Sequence, residues 1–286
     1  MYPILFEFQG IVITSFGLFL TLGFIAFIVA LVRLTTYRKL NINFFSDHIL
    51  SLFLFSVLGA KVLYWICNVV PLYNSIMPNL DFGRYYAIFK LLFNIEEFYI
   101  LGGILSFGIL FFLYAKKHKE PLLKWLDCLM PALAIGLFFG FIGSFLGGYF
   151  VGKETATMFG VTFTSDPRFS LASSLASSVP VHPIQIYAAI AMLLIFLVTF
   201  ELVRKIRTPG VAGVVGLLFV SLADLLIEFL RTPGDRITFL GHLSINQYAS
   251  ILGIGLAVFL FLRKVPQIGM GTVEEPVEEI PAEVKE

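Results

Sequence analysis

Residues 11–32 read IVITSFGLFLTLGFIAFIVALV and contain no Asp, Glu, Lys or Arg. A helix needs roughly 20 apolar residues to cross the hydrocarbon of a bilayer, and this stretch is long enough. Its apolar residues run continuously, without the period of two that a barrel strand requires, so the stretch predicts a membrane-spanning helix. The first basic residue of the chain is Arg33, so this stretch lacks the early positive charge of a secretory signal and is expected to stay in the membrane.

The same pattern recurs along the whole chain of 286 residues. The predicted spans are roughly 11–32, 48–70, 99–114, 129–151, 184–203, 211–230 and 245–262. The chain is 58% hydrophobic and only 14% charged, whereas an ordinary soluble domain is about one-quarter charged, so a soluble globular protein, a disordered chain and a nucleic-acid binder are excluded. The predicted fold is all-α: a polytopic membrane domain of seven transmembrane helices over residues 1–265, followed by an acidic disordered tail over residues 266–286.

Basic residues are distributed asymmetrically about the predicted spans. The links after the first, third, fifth and seventh spans are short and hold Arg33, Arg38, Lys39, Lys116, Lys117, Lys119, Lys124, Arg204, Lys205, Arg207, Arg263 and Lys264. The opposite links are longer and hold only Arg84, Lys90, Lys153, Arg168, Arg231 and Arg236. Because basic loops stay on the cytoplasmic side, the N-terminus is predicted to lie outside and the C-terminus in the cytoplasm.

Ionisable residues within spans are costly in lipid and therefore indicate function. Asp224, Glu228 and Arg231 lie at i, i+4 and i+7, on one face of the sixth span. Either the three neutralise one another and pair helices, or Arg231 binds an anion at the outer leaflet, since its guanidinium forks onto phosphate oxygens. Lys61, midway along the second span, is either functional, paired with an acid or snorkelling along its own stem.

Small and polar residues gather at the predicted outer ends of the spans. Glycines at 140, 143, 147, 148 and 152 lie at the end of the fourth span, and Gly102 and Gly103 lie at the start of the third. Such spacing indicates helix packing more often than ligand binding. The run His182-Pro-Ile-Gln-Ile-Tyr187 begins the fifth span, where an interfacial anchor built on Tyr187 is the simplest interpretation. Cys67 and Cys128 lie in apolar segments and do not form a disulfide framework.

These motifs, taken in order, resemble the prolipoprotein diacylglyceryl transferase family. His182 to Tyr187 is similar to the family's His-Pro-x-Gln-x-Tyr, and Glu228 to Pro233 is similar to its Glu-Phe-x-Arg-x-Pro. The other matching pieces are Ser15 to Leu18, Leu58 to Lys61, Leu101 to Ile104, Gly140 to Phe145, Gly152, and Asn246 with Gln247. The family moves the diacylglyceryl group of phosphatidylglycerol to the lipobox cysteine of a preprolipoprotein and releases glycerol phosphate.

The resemblance implies a set of site residues and partners. Among the residues that the resemblance retains, Arg231, His182 and Glu228 are the candidates for catalysis. It assigns lipid binding to Gly143, Ser144, Gly152, Lys61, Gln185, Tyr187, Gly102 and Gly103. The implied partners are phosphatidylglycerol and preprolipoprotein signal peptides, with no nucleic acid, no metal and no cofactor. The implied location is the bacterial plasma (inner) membrane, in which the chain is integral.

The chain also departs from the family pattern. Leu101 stands where the family has its His before the paired glycines, and Phe141 stands where it has its lipid-binding Arg. His182, His242 and Glu228 remain as candidates for the general base. Three hypotheses follow: an active, divergent diacylglyceryl transferase, a relative that binds lipid or lipoprotein without transfer, and a transporter-like or structural membrane protein. The chain shows no inverted repeat, which weighs against a transporter.

Overall fold

The computed structural model of the chain describes residues 4–8, 11–76, 99–163, 179–232, 238–239 and 243–268. Within these ranges, 7 helices are long and apolar enough to cross a membrane, which confirms the all-α polytopic prediction. The helices are α1 (Ser15–Tyr37), α2 (Ile42–Ile76), α3 (Ile100–Lys117), α4 (Leu122–Gly147), α5 (Ile184–Lys205), α6 (Val211–Leu230) and α7 (Ile245–Ile268). Two short antiparallel hairpins pair β1 (Ile4–Phe8) with β2 (Ile11–Thr14), and β3 (Thr238–Phe239) with β4 (Leu243–Ser244).

Several helix ends differ from the predicted spans. The first span was expected from residue 11, but the β-branched run Ile11–Thr14 pairs as strand β2. Helix α1 begins at Ser15 because the Thr14 hydroxyl caps it, accepting the Gly17 N–H at 3.1 Å. Helix α4 begins at Leu122, well before the predicted 129, and α7 continues to Ile268. Residues 269–286, most of the predicted tail, lie outside the described residues.

Helix α4 is the central element of the bundle. It packs against α1, α5 and α6, while α6 also packs against α7, and α2 pairs with α3. Glycines allow α1 and α4 to approach closely: a Cβ on Gly23 would lie 2.6 Å from the Gly136 carbonyl oxygen, and one on Gly143 would lie 2.7 Å from the Phe19 Cβ. Because lipid supplies no hydrophobic drive between helices, such close packing is what holds them together.

An aromatic cluster joins the α2–α3 pair to the remaining helices at the predicted cytoplasmic end. Trp125 of α4 is fully buried, and the rings of Phe44 and Phe111 each lie 5.5 Å from it, centroid to centroid. Leu31 and Val203 belong to the same buried cluster, so it includes side chains from α1 and α5 as well.

A buried carboxylate lies beside this cluster. Asp127 of α4 accepts hydrogen bonds from the backbone N–H groups of Gly210 at 2.7 Å and Gly213 at 2.8 Å, at the start of α6. The Arg38 guanidinium lies 3.6 Å from the same carboxylate and donates to the carbonyls of Ile206 and Arg207. This group, here called the Asp127 cluster (Asp127, Arg38, Gly210 and Gly213), ties α4 to the links that follow α1 and α5.

The orientation of the bundle is a prediction that cysteine labelling can test. In a background with Cys67 and Cys128 replaced by Ala, we expect Lys153→Cys to react with a membrane-impermeant maleimide on intact cells, since Lys153 is exposed on the predicted outer side. We expect Lys117→Cys, also exposed, to react only after permeabilisation, because its link is one of the basic ones. Labelling of Lys117→Cys on intact cells would reverse the topology.

Candidate functional site

Arg231 lies immediately after α6, and its backbone is fixed against the segment that follows α4. Arg231 and Gly152 form an antiparallel bridge, and the Lys153 N–H donates to the Leu230 carbonyl at 2.8 Å. The Thr232 hydroxyl contacts the carbonyl oxygens of Val151 at 3.0 Å and Gly152 at 2.8 Å. The end of α6 and the chain after α4 therefore form one rigid unit at the predicted outer surface.

The Arg231 side chain lies between an acid and an aromatic ring. Its Nη1 atom is 3.5 Å from Glu228 Oε2, and its guanidinium lies 5.0 Å from the centroid of the Phe150 ring. The side chain is only 12% exposed, so its charge lies in a low-dielectric setting where electrostatic contacts are strong. Phe150 has a φ of 56°, a left-handed conformation that costs a non-glycine residue about 1–3 kcal/mol.

The acids of the sixth span face α7 and not lipid. The Asn246 amide donates to Glu228 Oε2 at 3.4 Å, and the Ser250 hydroxyl lies 2.6 Å from Asp224 Oδ2. Asp224 and Glu228 thus pair α6 with α7, as the helix-pairing interpretation of the charged trio requires. Arg231 extends from the same face towards Phe150 in the segment after α4, and anion binding by its guanidinium stays a prediction.

The run that begins α5 lies against the same unit. The His182 N–H donates to the Lys153 carbonyl at 2.9 Å, and a Cβ on Gly152 would collide with the His182 carbonyl oxygen. His182 Nδ1 is 3.5 Å from the Tyr187 hydroxyl, and the buried Gln185 amide donates to the Tyr149 carbonyl at 2.5 Å. The structure therefore brings His182, Gln185 and Tyr187 together with Gly152 and Arg231.

Other predicted lipid-binding residues lie in helix contacts. Gly143 faces Phe19 of α1, and the Ser144 hydroxyl donates to the Gly140 carbonyl within α4 at 2.9 Å. Gly102 of α3 packs against the Gly59 carbonyl of α2. A Cβ added to Gly103 would lie 3.2 Å from the Ser56 carbonyl oxygen. Lys61 is buried on α2 with its Nζ 5.0 Å from the Tyr64 ring centroid. Lipid binding by these residues remains a prediction.

The remaining residues that the family resemblance singled out are apolar or lie outside the described residues. Leu101 is half-buried on α3, and Phe141 packs among apolar side chains that include Met192 of α5. His242, one candidate base, lies outside the described residues. Phe150 and Thr232, which contact the site, were not predicted from the sequence.

The packing at Gly102 makes a matched pair of variants informative. An added Cβ at Gly102 would also lie 2.6 Å from the Leu63 Cβ, so Gly102→Ala should destabilise the α2–α3 pair by about 1–3 kcal/mol, as overpacking does. Gly108→Ala on the same helix meets no atom within 4 Å and should leave stability unchanged or slightly higher. Thermal unfolding in detergent compares the two; equal melting temperatures would contradict the close approach.

Together, these features define a polytopic membrane protein with a polar site at one end of its bundle, built around a buried Arg–Glu pair and a neighbouring His–Tyr pair. The sequence model of the prolipoprotein diacylglyceryl transferase family matches residues 3–263, and the chain belongs to that family.

Curated relatives agree over nearly the whole chain. A phosphatidylglycerol–prolipoprotein diacylglyceryl transferase of Clostridium tetani is 31% identical over 267 residues, covering 91% of this chain and 97% of the relative. The second such transferase of Clostridium perfringens is 28% identical, covering 88% of this chain and 91% of the relative. The transferase of Chlorobaculum tepidum is 25% identical, covering 91% and 90%.

Proposed function

We propose that this chain transfers the diacylglyceryl group of phosphatidylglycerol to the lipobox cysteine of preprolipoproteins in the bacterial plasma membrane. The observation that carries the proposal is the setting of Arg231. Its guanidinium is largely buried and paired with Glu228, and its backbone forms a bridge with Gly152. A fixed cation at the end of a spanning helix suits the phosphate of a membrane lipid. The names of the relatives from C. tetani and C. tepidum point to the same reaction.

The reaction exchanges one bond for another. The cysteine sulfur forms a thioether bond to the glycerol carbon of the diacylglyceryl group, and the bond from that carbon to the phosphate oxygen breaks. The electron pair leaves on the phosphate, which departs as glycerol phosphate, and a base takes the thiol proton. Because the thiolate is the strong nucleophile and the leaving phosphate gains charge, the site needs a proton acceptor and a fixed cation.

Arg231 supplies the cation. Its backbone is locked by the Gly152 bridge and by Thr232, so the guanidinium needs little reorganisation when the phosphate leaves. The Glu228 carboxylate pairs with the guanidinium and accepts a hydrogen bond from the Asn246 amide. The Phe150 ring lies against the guanidinium as well. Glu228 therefore acts in this proposal by orienting Arg231.

His182 is the proton acceptor in this proposal. Its imidazole is half-buried and lies beside the Tyr187 hydroxyl, whereas the Glu228 carboxylate is buried and already paired with a cation and an amide. Histidine is the side chain that most often serves as a general base. In this proposal His182 performs the proton transfer that the family's His would perform at the position of Leu101.

Replacement of a cell's own transferase tests the proposal. In bacteria depleted of that enzyme, expression of this chain should restore the lipidation of a reporter prolipoprotein, seen as a shift to the diacylglyceryl form by mass spectrometry. The Arg231→Ala variant, expressed to the same level, should fail. A chain that folds and accumulates in the membrane but leaves the reporter unmodified would instead be a relative without transfer activity.

A further inference from the structure

The segment after α4 and the segment before α5 form a small cap with its own core. Val151, Phe163 and Val181 are buried in it, and the Phe163 ring lies 6.0 Å from Phe145 at the end of α4, centroid to centroid. Val161 and Val181 exchange two backbone hydrogen bonds of 3.0 Å each, and the Thr155 N–H donates to the Pro180 carbonyl at 2.9 Å. Both ends of the intervening turn, residues 156–160, are therefore fixed.

This turn, here called the outer tip, presents two large apolar side chains to the surroundings. Met158 is 90% exposed and Phe159 is 67% exposed, although the core of the cap lies only a few residues away along the chain. The turn itself is ordered: the Gly160 N–H donates to the Thr157 carbonyl at 3.0 Å, and the hydroxyls of Thr155 and Thr157 are 3.0 Å apart. The side chains of Met158 and Phe159 are therefore exposed on a turn whose backbone is held by hydrogen bonds.

The outer tip is continuous with the candidate site. The segment that leads to it begins at Gly152, which bridges to Arg231, and passes through Lys153, whose carbonyl accepts a hydrogen bond from the His182 N–H. Because a fully extended chain spans at most about 3.6 Å per residue, Met158 is no more than about 22 Å from Gly152. A polypeptide bound at the tip can therefore place a neighbouring cysteine at Arg231 and His182.

We infer that Met158 and Phe159 form a docking surface for the acceptor polypeptide, contacting apolar residues that flank its cysteine; the inference rests on the proposed function. An extended peptide of the same reach places these apolar residues within about six positions of the cysteine. Met and Phe are enriched at protein interfaces, and the flexible Met side chain adapts to partners that differ in sequence. The turn carries no Trp, Tyr, Lys or Arg, the residues that usually anchor a segment at a bilayer surface.

Binding of a peptide that cannot react tests this surface separately from transfer. We would use the full chain in phosphatidylglycerol nanodiscs and a fluorescent prolipoprotein signal peptide with its cysteine replaced by Ser. The double variant Met158→Ser/Phe159→Ser is expected to raise the Kd about tenfold, equivalent to about 1.4 kcal/mol. The matched control is Leu5→Ser/Phe6→Ser on β1, where the side chains are 46% and 57% exposed, and it should leave the Kd unchanged.

Transfer rates then identify what the tip recognises. The tip variant should raise KM for the peptide acceptor without changing kcat, and should leave transfer to a small thiol such as N-acetylcysteine amide unchanged. An equal loss with both acceptors, or an unchanged peptide Kd, would overturn the inference. Binding that responds to the tip variant without any transfer would instead contradict the proposed function and leave the docking surface standing.

A third measurement distinguishes a polypeptide partner from the bilayer. Phe159→Trp should be quenched by acrylamide in water, and should lose that quenching when the peptide is added. Quenching by brominated acyl chains in the absence of peptide would show that the tip inserts into lipid, and would overturn the inference.

Discussion

Replacing Arg231 by Ala is expected to lower kcat for diacylglyceryl transfer by about 10²–10³-fold, the usual loss when one preorganised donor to a developing anion is removed. The affinity for phosphatidylglycerol should fall as well, by roughly ten- to hundredfold, because a charged hydrogen bond contributes about 1.5–3 kcal/mol. Native mass spectrometry measures the lipid binding, and release of glycerol phosphate measures the transfer. Arg204→Ala, an exposed arginine of α5, is the matched control and should change neither.

Two further variants test how charge contributes to lipid binding. Arg231→Lys keeps the positive charge but loses the bidentate geometry of the guanidinium. Relative to Arg231→Ala, it should therefore recover part of the lipid affinity and little of kcat. Phe141→Arg places a second cation where the family has its lipid-binding Arg, and should strengthen phosphatidylglycerol binding. If Arg231→Ala binds lipid as well as the unmodified chain, the lipid site lies elsewhere and the charged trio only pairs helices.

Replacing Asp127 by Ala is expected to lower the free energy of unfolding by about 3–5 kcal/mol, because it leaves a buried cation and two backbone N–H groups without their shared acceptor. The partner affected is Arg38, whose side chain is 9% exposed and lies 3.6 Å from the carboxylate. Thermal unfolding in nanodiscs should show a much lower melting temperature.

The control for this prediction is an ion pair of the same type at the surface. Glu201 lies 2.9 Å from Arg204, with the two side chains 47% and 56% exposed. Glu201→Ala should cost no more than about 1 kcal/mol, since solvent screens such pairs. Similar losses from the two variants would mean that the Asp127 cluster does not hold α4 and α6 together.

The helices could be predicted from sequence because continuous apolar stretches are a direct consequence of the bilayer. The ends of the helices could not be predicted in this way, because they depend on local chemistry. The Thr14 hydroxyl caps the first turn of α1, and the largely apolar residues Ile11–Thr14 pair as a strand although their hydrophobicity alone predicted helix. Asp127 was missed for the same reason, because a fourth span predicted from residue 129 leaves it in the preceding link, whereas α4 begins at Leu122.

The candidate site was predictable where neighbours in sequence are neighbours in space. Glu228 and Arg231 are one helical turn apart, and His182 and Tyr187 lie in one short run. Phe150 and Thr232 were missed because their roles arise from the bridge between Gly152 and Arg231, which are distant in sequence. For the glycines the sequence left two interpretations open, and at Gly102 and Gly143 the structure shows close helix contacts.

Reconstituted transfer tests the central claim most directly. The purified chain in phosphatidylglycerol vesicles, mixed with a prolipoprotein carrying a lipobox cysteine, is expected to yield the thioether-linked diacylglyceryl product and one glycerol phosphate for each modified cysteine. Intact-mass spectrometry detects the product, and its yield should depend on Arg231 and on the acceptor cysteine. A folded chain that binds both substrates but leaves the prolipoprotein mass unchanged would contradict the account.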